Sequence, residues 1–336
     1  MGDGFSADGA LMERYGVSAA DLAPASAEDR QATDRARPSE SYWRGAAKRF
    51  ARNKVGMAML IVLAIVVLFA ILGPIVSPYT YHGQSRDVRQ GPSAAHLFGT
   101  DRLGRDVFTR VMFGTRISLF VGVVTSFSVL IVGLAYGGIS AYVGGWVDNV
   151  MMRFVDLMMT IPTILIIIIL SVATRDIFTS LLADPRYAAI ASMGSGLMSI
   201  LAVFSMFNWI GMARTVRGAL LMNRSQEYVM ASESFGAKAG WIITKHLLPN
   251  SIGIVIINAT AVIPGAIAME SFLSFIGLGV AAPVPSLGSL AADALNGIIS
   301  YPLNILVSSG LISIIMLSFN VIGDTLRDAL DPRLRR

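Results

Sequence analysis

The chain has 336 residues, of which 54% are hydrophobic and only 15% charged, with a formal net charge of +5. Soluble domains carry about 25% charged residues, so the composition excludes an ordinary soluble fold and points to an integral membrane protein. It has no cysteine, which excludes disulfides, thiolate metal sites and cysteine nucleophiles. The basic excess sits beside apolar runs rather than on a basic helix or aromatic platform, which argues against a nucleic-acid partner.

Residues 1–42 are rich in Ala, Asp, Ser and Arg and contain no apolar run. They read as a mostly disordered tail with a short helix near 19–22, and not as a signal peptide. A bilayer core about 30 Å thick needs roughly 20 apolar residues as helix. Six segments meet that length, at about 55–76, 117–142, 154–173, 188–213, 251–272 and 303–322. The predicted organisation is a tail over 1–42, a first span with an outer elbow over 43–116, and a core over 117–336.

Lysines and arginines in the connecting segments set the orientation. Arg44, Lys48, Arg49, Arg52 and Lys54 precede the first span, and Arg214, Arg217, Arg224, Lys238 and Lys245 fall between the fourth and fifth. The 273–302 connection has no Lys or Arg, so both termini are expected on the cytoplasmic side. The 77–116 connection runs against this trend with six arginines, partly offset by Asp87, Asp101 and Asp106. Asp156 and Glu270 are the only acids in or beside spans two to six, both near predicted ends. A proton-coupled carrier would be expected to place acids near the midplane.

Enzymatic readings find no support. His82, His96 and His246 are far apart and predicted outside the spans, no H-E-x-x-H or G-x-S-x-G pattern occurs, and no metal site is expected. None of the four lysines is followed by Ser or Thr, so a Walker A loop cannot be built. Between spans four and five lies EYVMASESFGAKAGWIITKHLLPN, residues 227–250. Its pattern predicts a short helix over 226–235, with Tyr228, Ala231, Ser232 and Phe235 along one face, a turn at Gly236 and a second short helix over 237–248. Pro249 is expected to end that helix, and Asn250 or Ser251 to cap the next span.

The spacing of Ala231, Ser232, Gly236, His246, Leu248 and Pro249 resembles the cytoplasmic coupling motif of ABC importer permeases, E-A-A-x3-G-x9-I-x-L-P. Met230 stands at the acidic position, Ser232 at the second alanine and His246 at the isoleucine; Glu227 and Glu233 are the carboxylates nearest in sequence. FGTDRLGRD (98–106), ESFLSFIGLG (270–279) and FNVIGDTLRDALDPRL (319–334) are similar to three further blocks of the C-type permeases of dipeptide, oligopeptide and nickel importers. The resemblance covers about residues 43–336.

That resemblance implies an all-α protein with the type I ABC importer permease fold and six transmembrane helices. It implies an ATP-driven, binding-protein-dependent importer of dipeptides or oligopeptides, working by alternating access with no catalysis on this chain. ATP and Mg would sit on two partner ATPase subunits, alongside a homologous second permease and an extracytoplasmic substrate-binding protein. The expected location is a bacterial or archaeal cytoplasmic membrane. Glu227, Tyr228, Ala231, Ser232, Glu233, Gly236, Ala237, His246, Leu248 and Pro249 are the expected ATPase-coupling residues. In the outer segment, which also holds Gly104, Asp101 and Asp106 are expected to pair with Arg102 and Arg105 in a self-neutralising polar knot, and Asn258, Met269, Glu270 and Ser274 are candidates for lining the pathway. The alternative is a secondary transporter or channel in which 227–250 is only an amphipathic connector.

Overall fold

The computed structural model describes residues 41–191 and 193–330. The expected 1–42 tail, its helix near 19–22 and the end of the 319–334 block therefore lie outside the described residues, apart from 41–42 and 319–330. The chain divides into two units, residues 1–48 and 49–336. In the first, the Tyr42 and Trp43 rings meet edge-on at the start of helix α1 (Tyr42–Arg52).

The second unit is helical, and the described residues hold no strand beyond an isolated bridge between Thr100 and Asp106. Among the described residues, six segments are long and apolar enough to cross a membrane. Asn53 starts α2 (Lys54–Val76) by accepting the Val55 and Gly56 N–H groups. Asp106 does the same for α3 (Val107–Val143), accepting the N–H of Thr109 at 2.7 Å. The third crossing joins α5 (Thr163–Ala173) and α6 (Arg175–Leu182). The fourth joins α7 (Ser195–Phe207) and α8 (Trp209–Arg224). The fifth runs through α11 (Leu248–Phe275), and the sixth is α13 (Pro302–Leu330).

Helix α3 is the axis of this unit, packing against α2, α8, α11 and the short helix α12 (Leu287–Leu295). Its buried Val111, Val121 and Val129 each enter a different apolar cluster, so one 37-residue helix ties the whole layer together. Between membrane helices that burial contributes close van der Waals packing rather than a gain from leaving water, because lipid tails are as apolar as the side chains.

Several expected boundaries move. The second span starts ten residues early because neither arginine before residue 117 ends the helix: Arg110 is buried and ion-paired inside α3, and Arg116 lies on its exposed side. The third crossing covers 163–182 rather than 154–173, because Pro162 starts α5 and an extended Ile161 separates it from α4 (Gly145–Thr160). The fourth reaches Arg224 rather than ending at 213. Pro249 does not stop a helix: α10 (Ala239–Ile242) passes through a π turn at Ile243–Leu247 straight into α11. The N–H of Leu248 reaches back five residues to Ile243, and this wider turn carries the chain past the proline. Asn250 accordingly caps nothing; its amide donates to the His246 carbonyl at 2.8 Å and the Tyr228 hydroxyl at 2.9 Å. His246 thus sits within the fifth candidate span rather than outside it.

Six alternating crossings put 77–106 and 276–301 on one side of the membrane and α4 with 225–239 on the other. Ion pairs agree with that sorting. Asp293 of α12 meets Arg102 and Arg110, while α4 is tied to the middle of α8 by Asp148–Arg217 and Asp156–Arg214.

Candidate functional site

Helix α9 (Glu227–Ser234) and helix α10 form a small plate held to the bundle by two apolar anchors. Val229 and Ile242 are buried among Met212, Val216, Leu220 and Val255. Gly236 makes the turn between the helices at φ +77°, a backbone conformation that other L-residues adopt only at a cost. The Gly236 N–H bonds the Glu233 carbonyl at 2.9 Å and the Ala237 N–H bonds Ser232 at 3.0 Å, a Schellman closure of α9. No side chain occupies the space a Cβ would take at Gly236, so the requirement is conformational. Gly236→Val is expected to destabilise this turn by about 1–2 kcal/mol while leaving the spans folded, read as faster amide exchange confined to 227–242.

The plate presents Glu227, Tyr228, Met230, Ala231 and Glu233 to the exterior, with Phe235 at the tip 92% exposed. Behind this face His246 is clamped. Its ring lies 5.6 Å from that of Tyr228 and 4.9 Å from that of Trp241, with Nε2 3.3 Å from the Ser232 hydroxyl. Ala237 and Leu248 are half-buried beneath it, and Pro249 is exposed. All ten expected coupling residues therefore belong to one contiguous structure.

On the opposite side, the 98–106 segment is a polar knot, but not with the expected pairing. Asp101 accepts from Arg105 Nε at 2.7 Å and Arg110 Nη1 at 2.5 Å, and its other oxygen takes the N–H groups of Leu103 and Arg105. Burial pushes the Asp101 carboxyl up, yet those N–H donors and the two guanidinium groups outweigh it and hold it below the ordinary carboxylate range. Asp106 takes no arginine. It caps α3 and lies 2.8 Å from His96 Nδ1. Arg102 pairs with Asp293, not with either local acid. The Gly104 carbonyl accepts from the Ser85 backbone and hydroxyl, closing the elbow.

Among the expected pathway residues, Glu270 and Ser274 are buried rather than near a solvated span end. Glu270 accepts from Ser118 of α3 at 2.8 Å and from Ser274 at 2.7 Å. Ser274 accepts the Val280 N–H at 3.0 Å, so this knot fastens the 276–287 segment to the bundle. A Cβ on Gly288 would stand 2.2 Å from the Ser271 carbonyl, which shows how closely that segment is laid down. Met269 is half-buried against the core. Asn258 instead lines an open cavity with Asn208 and Thr215, between α8 and α11.

Residues 109–336 match the family model described as binding-protein-dependent transport system inner membrane component. The chain belongs to that family. Residues 41–92 of this permease also match the N-terminal transmembrane domain of oligopeptide transport permease C. It is 43% identical to the dipeptide transport system permease protein DppC of Bacillus subtilis over 311 residues, 92% of this chain and 91% of that one. It is 40% identical to the oligopeptide transport system permease protein OppC of the same organism, over 93% of this chain and 97% of that one. The OppC protein of Escherichia coli K12 is 36% identical over 88% of this chain and 92% of its own length. The inward-facing structure of the MetNI methionine ABC transporter shares the fold, with a TM-score of 0.51 and 22% identity over 66% of this chain and 96% of that chain.

The permease is thus the non-catalytic membrane component of an ABC importer and crosses the membrane several times. Permeases of this kind work with a second permease, ATPase subunits and a binding protein, and hydrolysis belongs to the partner chains.

Three groups in its polar structure are not apparent from local sequence: Asp293, Arg110 and Ser118. One sequence signal could have found Asp293: it is the only charged residue between Glu270 and Arg327 apart from Asp324. On the plate side, Asp148 receives Arg217 Nε and Nη2 at 2.5 Å each. The Arg217 hydrogen bond, with help from Ser140, holds the Asp148 carboxyl below its ordinary range against the effect of burial. A carboxyl lowered by folding stabilises fully above its unfolded value near 4 and loses that contribution as pH falls through the lower folded value. Thermal melts in nanodiscs should therefore lose stability below about pH 4, with a shallower slope in Asp148→Asn.

Proposed function

We propose that this chain is the C-type permease of an importer for dipeptides and oligopeptides in a bacterial or archaeal cytoplasmic membrane, with both termini and the 227–242 plate facing the cytoplasm. One observation carries the coupling assignment: an exposed plate, closed by a glycine turn and rigidly continuous with the fifth span through a π turn. A push on Tyr228, Ala231, Phe235 or Glu233 is transmitted to α8 through Val229 and to α11 along its own backbone. ATP and Mg act on two ATPase subunits that dock there, while a homologous second permease completes the pathway. With methionine at position 230, docking rests on apolar shape, and Glu227 and Glu233 supply the charge.

The binding protein delivers substrate on the side of the 98–106 knot. Peptides as cargo rest on relatives that carry dipeptide and oligopeptide names at 36–43% identity across most of both chains. The polar cavity at Asn208, Thr215 and Asn258, which holds no charged group, suits passage of a peptide backbone.

The deciding experiment is uptake by the four-subunit complex in proteoliposomes, with ATP trapped in the lumen and the binding protein added outside. Accumulation of labelled dipeptide that requires both ATP and the binding protein is expected. Uptake driven by an ion gradient without ATPase subunits would establish the secondary-transporter alternative, and stimulation only by a nickel chelate would overturn the peptide assignment.

A further inference from the structure

Helices α4 and α8 are joined by the ion pair Asp156–Arg214, whose side chains are 52% and 49% exposed. Their depth makes that exposure informative. The Ser140 hydroxyl donates to Asp148, and the Tyr136 hydroxyl to the Met151 carbonyl at 2.9 Å, so α4 returns along the cytoplasmic half of α3. Asp156 stands ten residues beyond Trp146, about 15 Å further along that helix. Charged groups at such depth do not face acyl chains; they face the protein interior or a water-filled cavity.

A cavity of about 290 Å³ borders the pair, lined by Asn208, Gly211, Thr215 and Asn258. Arg214 follows Gly211 by one turn on the same exposed face of α8 and adjoins Thr215 in sequence. Asn258 lies midway along the fifth crossing, Gly240–Phe275, and Asn208 near the middle of the fourth, Ser195–Arg224. Each amide donates to its own helix, Asn208 to the Phe204 carbonyl at 3.2 Å and Asn258 to the Ile254 carbonyl at 2.8 Å. Neither makes another hydrogen bond among the described residues, so each keeps a carbonyl oxygen and one N–H for a visitor. A Cβ at Gly211 would meet nothing within 4 Å, so this wall is open. Because α8 runs toward the cytoplasm, the ion pair stands on the cytoplasmic edge of the cavity.

We infer that Asp156 and Arg214 are specificity-determining groups of the transport pathway, reading a substrate that carries both an ammonium and a carboxylate. The inference rests on the reading of this chain as a peptide importer permease. The Arg214 guanidinium fork matches the two oxygens of a carboxylate, and Asp156 accepts from an ammonium. With the passage empty, the two satisfy each other. A zwitterion replaces each partner by one of the same charge, whereas a lone anion or cation leaves one resident charge bare in a low dielectric, which is costly. That asymmetry selects the zwitterion. The amides of Asn208 and Asn258 then pair with the peptide group between its ends, whatever side chains it carries.

The natural absence of cysteine supplies the test. Thr215→Cys, Asn258→Cys and, as a control on the exposed face of the first span, Leu68→Cys are each made in the assembled complex in nanodiscs. They are treated with anionic and cationic methanethiosulfonates of similar size. Positions 215 and 258 are expected to react and position 68 not. The anion-to-cation rate ratio at 215 should fall at least fivefold with Arg214→Gln and rise as much with Asp156→Asn. Alanyl-alanine should slow the reaction at 215, and its N-acetyl amide should not. The double variant Asp156→Asn with Arg214→Gln keeps net charge and hydrogen-bonding reach, so it is expected to melt as wild type yet lose protection by the dipeptide. No reaction at 215 and 258 would show a dry interface and overturn the inference. A rate ratio unmoved by either single variant would reduce the pair to a link between helices, and equal protection by both dipeptide forms would refute the zwitterion. ATP-driven peptide uptake by the wild-type complex is measured separately, so its failure bears on the transport assignment alone.

Discussion

Replacing Phe235 by alanine is expected to leave the permease as stable as before while weakening its hold on the ATPase subunits by about 2 kcal/mol, roughly thirtyfold in affinity. The reasoning is one of burial. Phe235 is 92% exposed in the isolated chain, so truncation removes almost no internal packing. An exposed aromatic ring at the apex of a rigid turn is disfavoured in water and is the kind of anchor that fills a pocket on a partner. The Schellman bonds use backbone groups only, so the turn survives the substitution. Co-purification of tagged ATPase subunits and the rate of coupled hydrolysis measure the effect. A variant that melts at a lower temperature but binds its ATPases normally would assign Phe235 to packing instead.

The second large effect is expected at Glu270. Glu270→Leu keeps a similar volume but strips the acceptor from the Ser118 and Ser274 hydroxyls, both in a buried setting. Unpaired buried polar groups cost about 1–3 kcal/mol each, so a loss of about 3 kcal/mol is expected, seen as a lower melting temperature in nanodiscs. Glu270→Gln keeps an acceptor for one of the hydroxyls and should cost about 1 kcal/mol. Because Ser274 also holds the Val280 N–H, proteolysis in the 276–287 segment should accelerate with Leu and much less with Gln. Equal stability of wild type and Glu270→Leu would show that the knot is incidental.

Particular residues show what could be read in advance. The six apolar runs were legible because lipid permits no other solution for an uninterrupted apolar stretch, and Gly236 because a turn between two short helices calls for positive φ. Span ends were harder. Arg110 and Arg217 look like termini of apolar runs, yet both lie inside helices, neutralised by Asp101 and Asp148 from other parts of the chain. Pro249 misled for a local reason: a proline normally ends a helix, and the π turn that admits it is not encoded in any simple pattern. The outer knot was readable in its members, since Asp101, Arg105 and Gly104 are all there, but not in its wiring, because Asp293 lies nearly two hundred residues away. Glu270 looked like a span-end acid for the same reason. Its partner Ser118 is an ordinary apolar-run serine until the two helices pack.

The coupling role of the plate is the centre of this account, and the natural absence of cysteine allows it to be tested directly. A single cysteine placed as Phe235→Cys, and in a second variant as Trp146→Cys at a site 78% exposed on α4, is crosslinked in the assembled complex to an ATPase subunit carrying cysteines along its permease-facing groove. The expected result is a permease–ATPase adduct from position 235 whose yield changes between the nucleotide-free and ATP-bound states, with little adduct from position 146. Adducts of equal yield from both positions, or none from 235 in either state, would contradict the assignment of residues 227–242 as the surface through which ATP drives this permease.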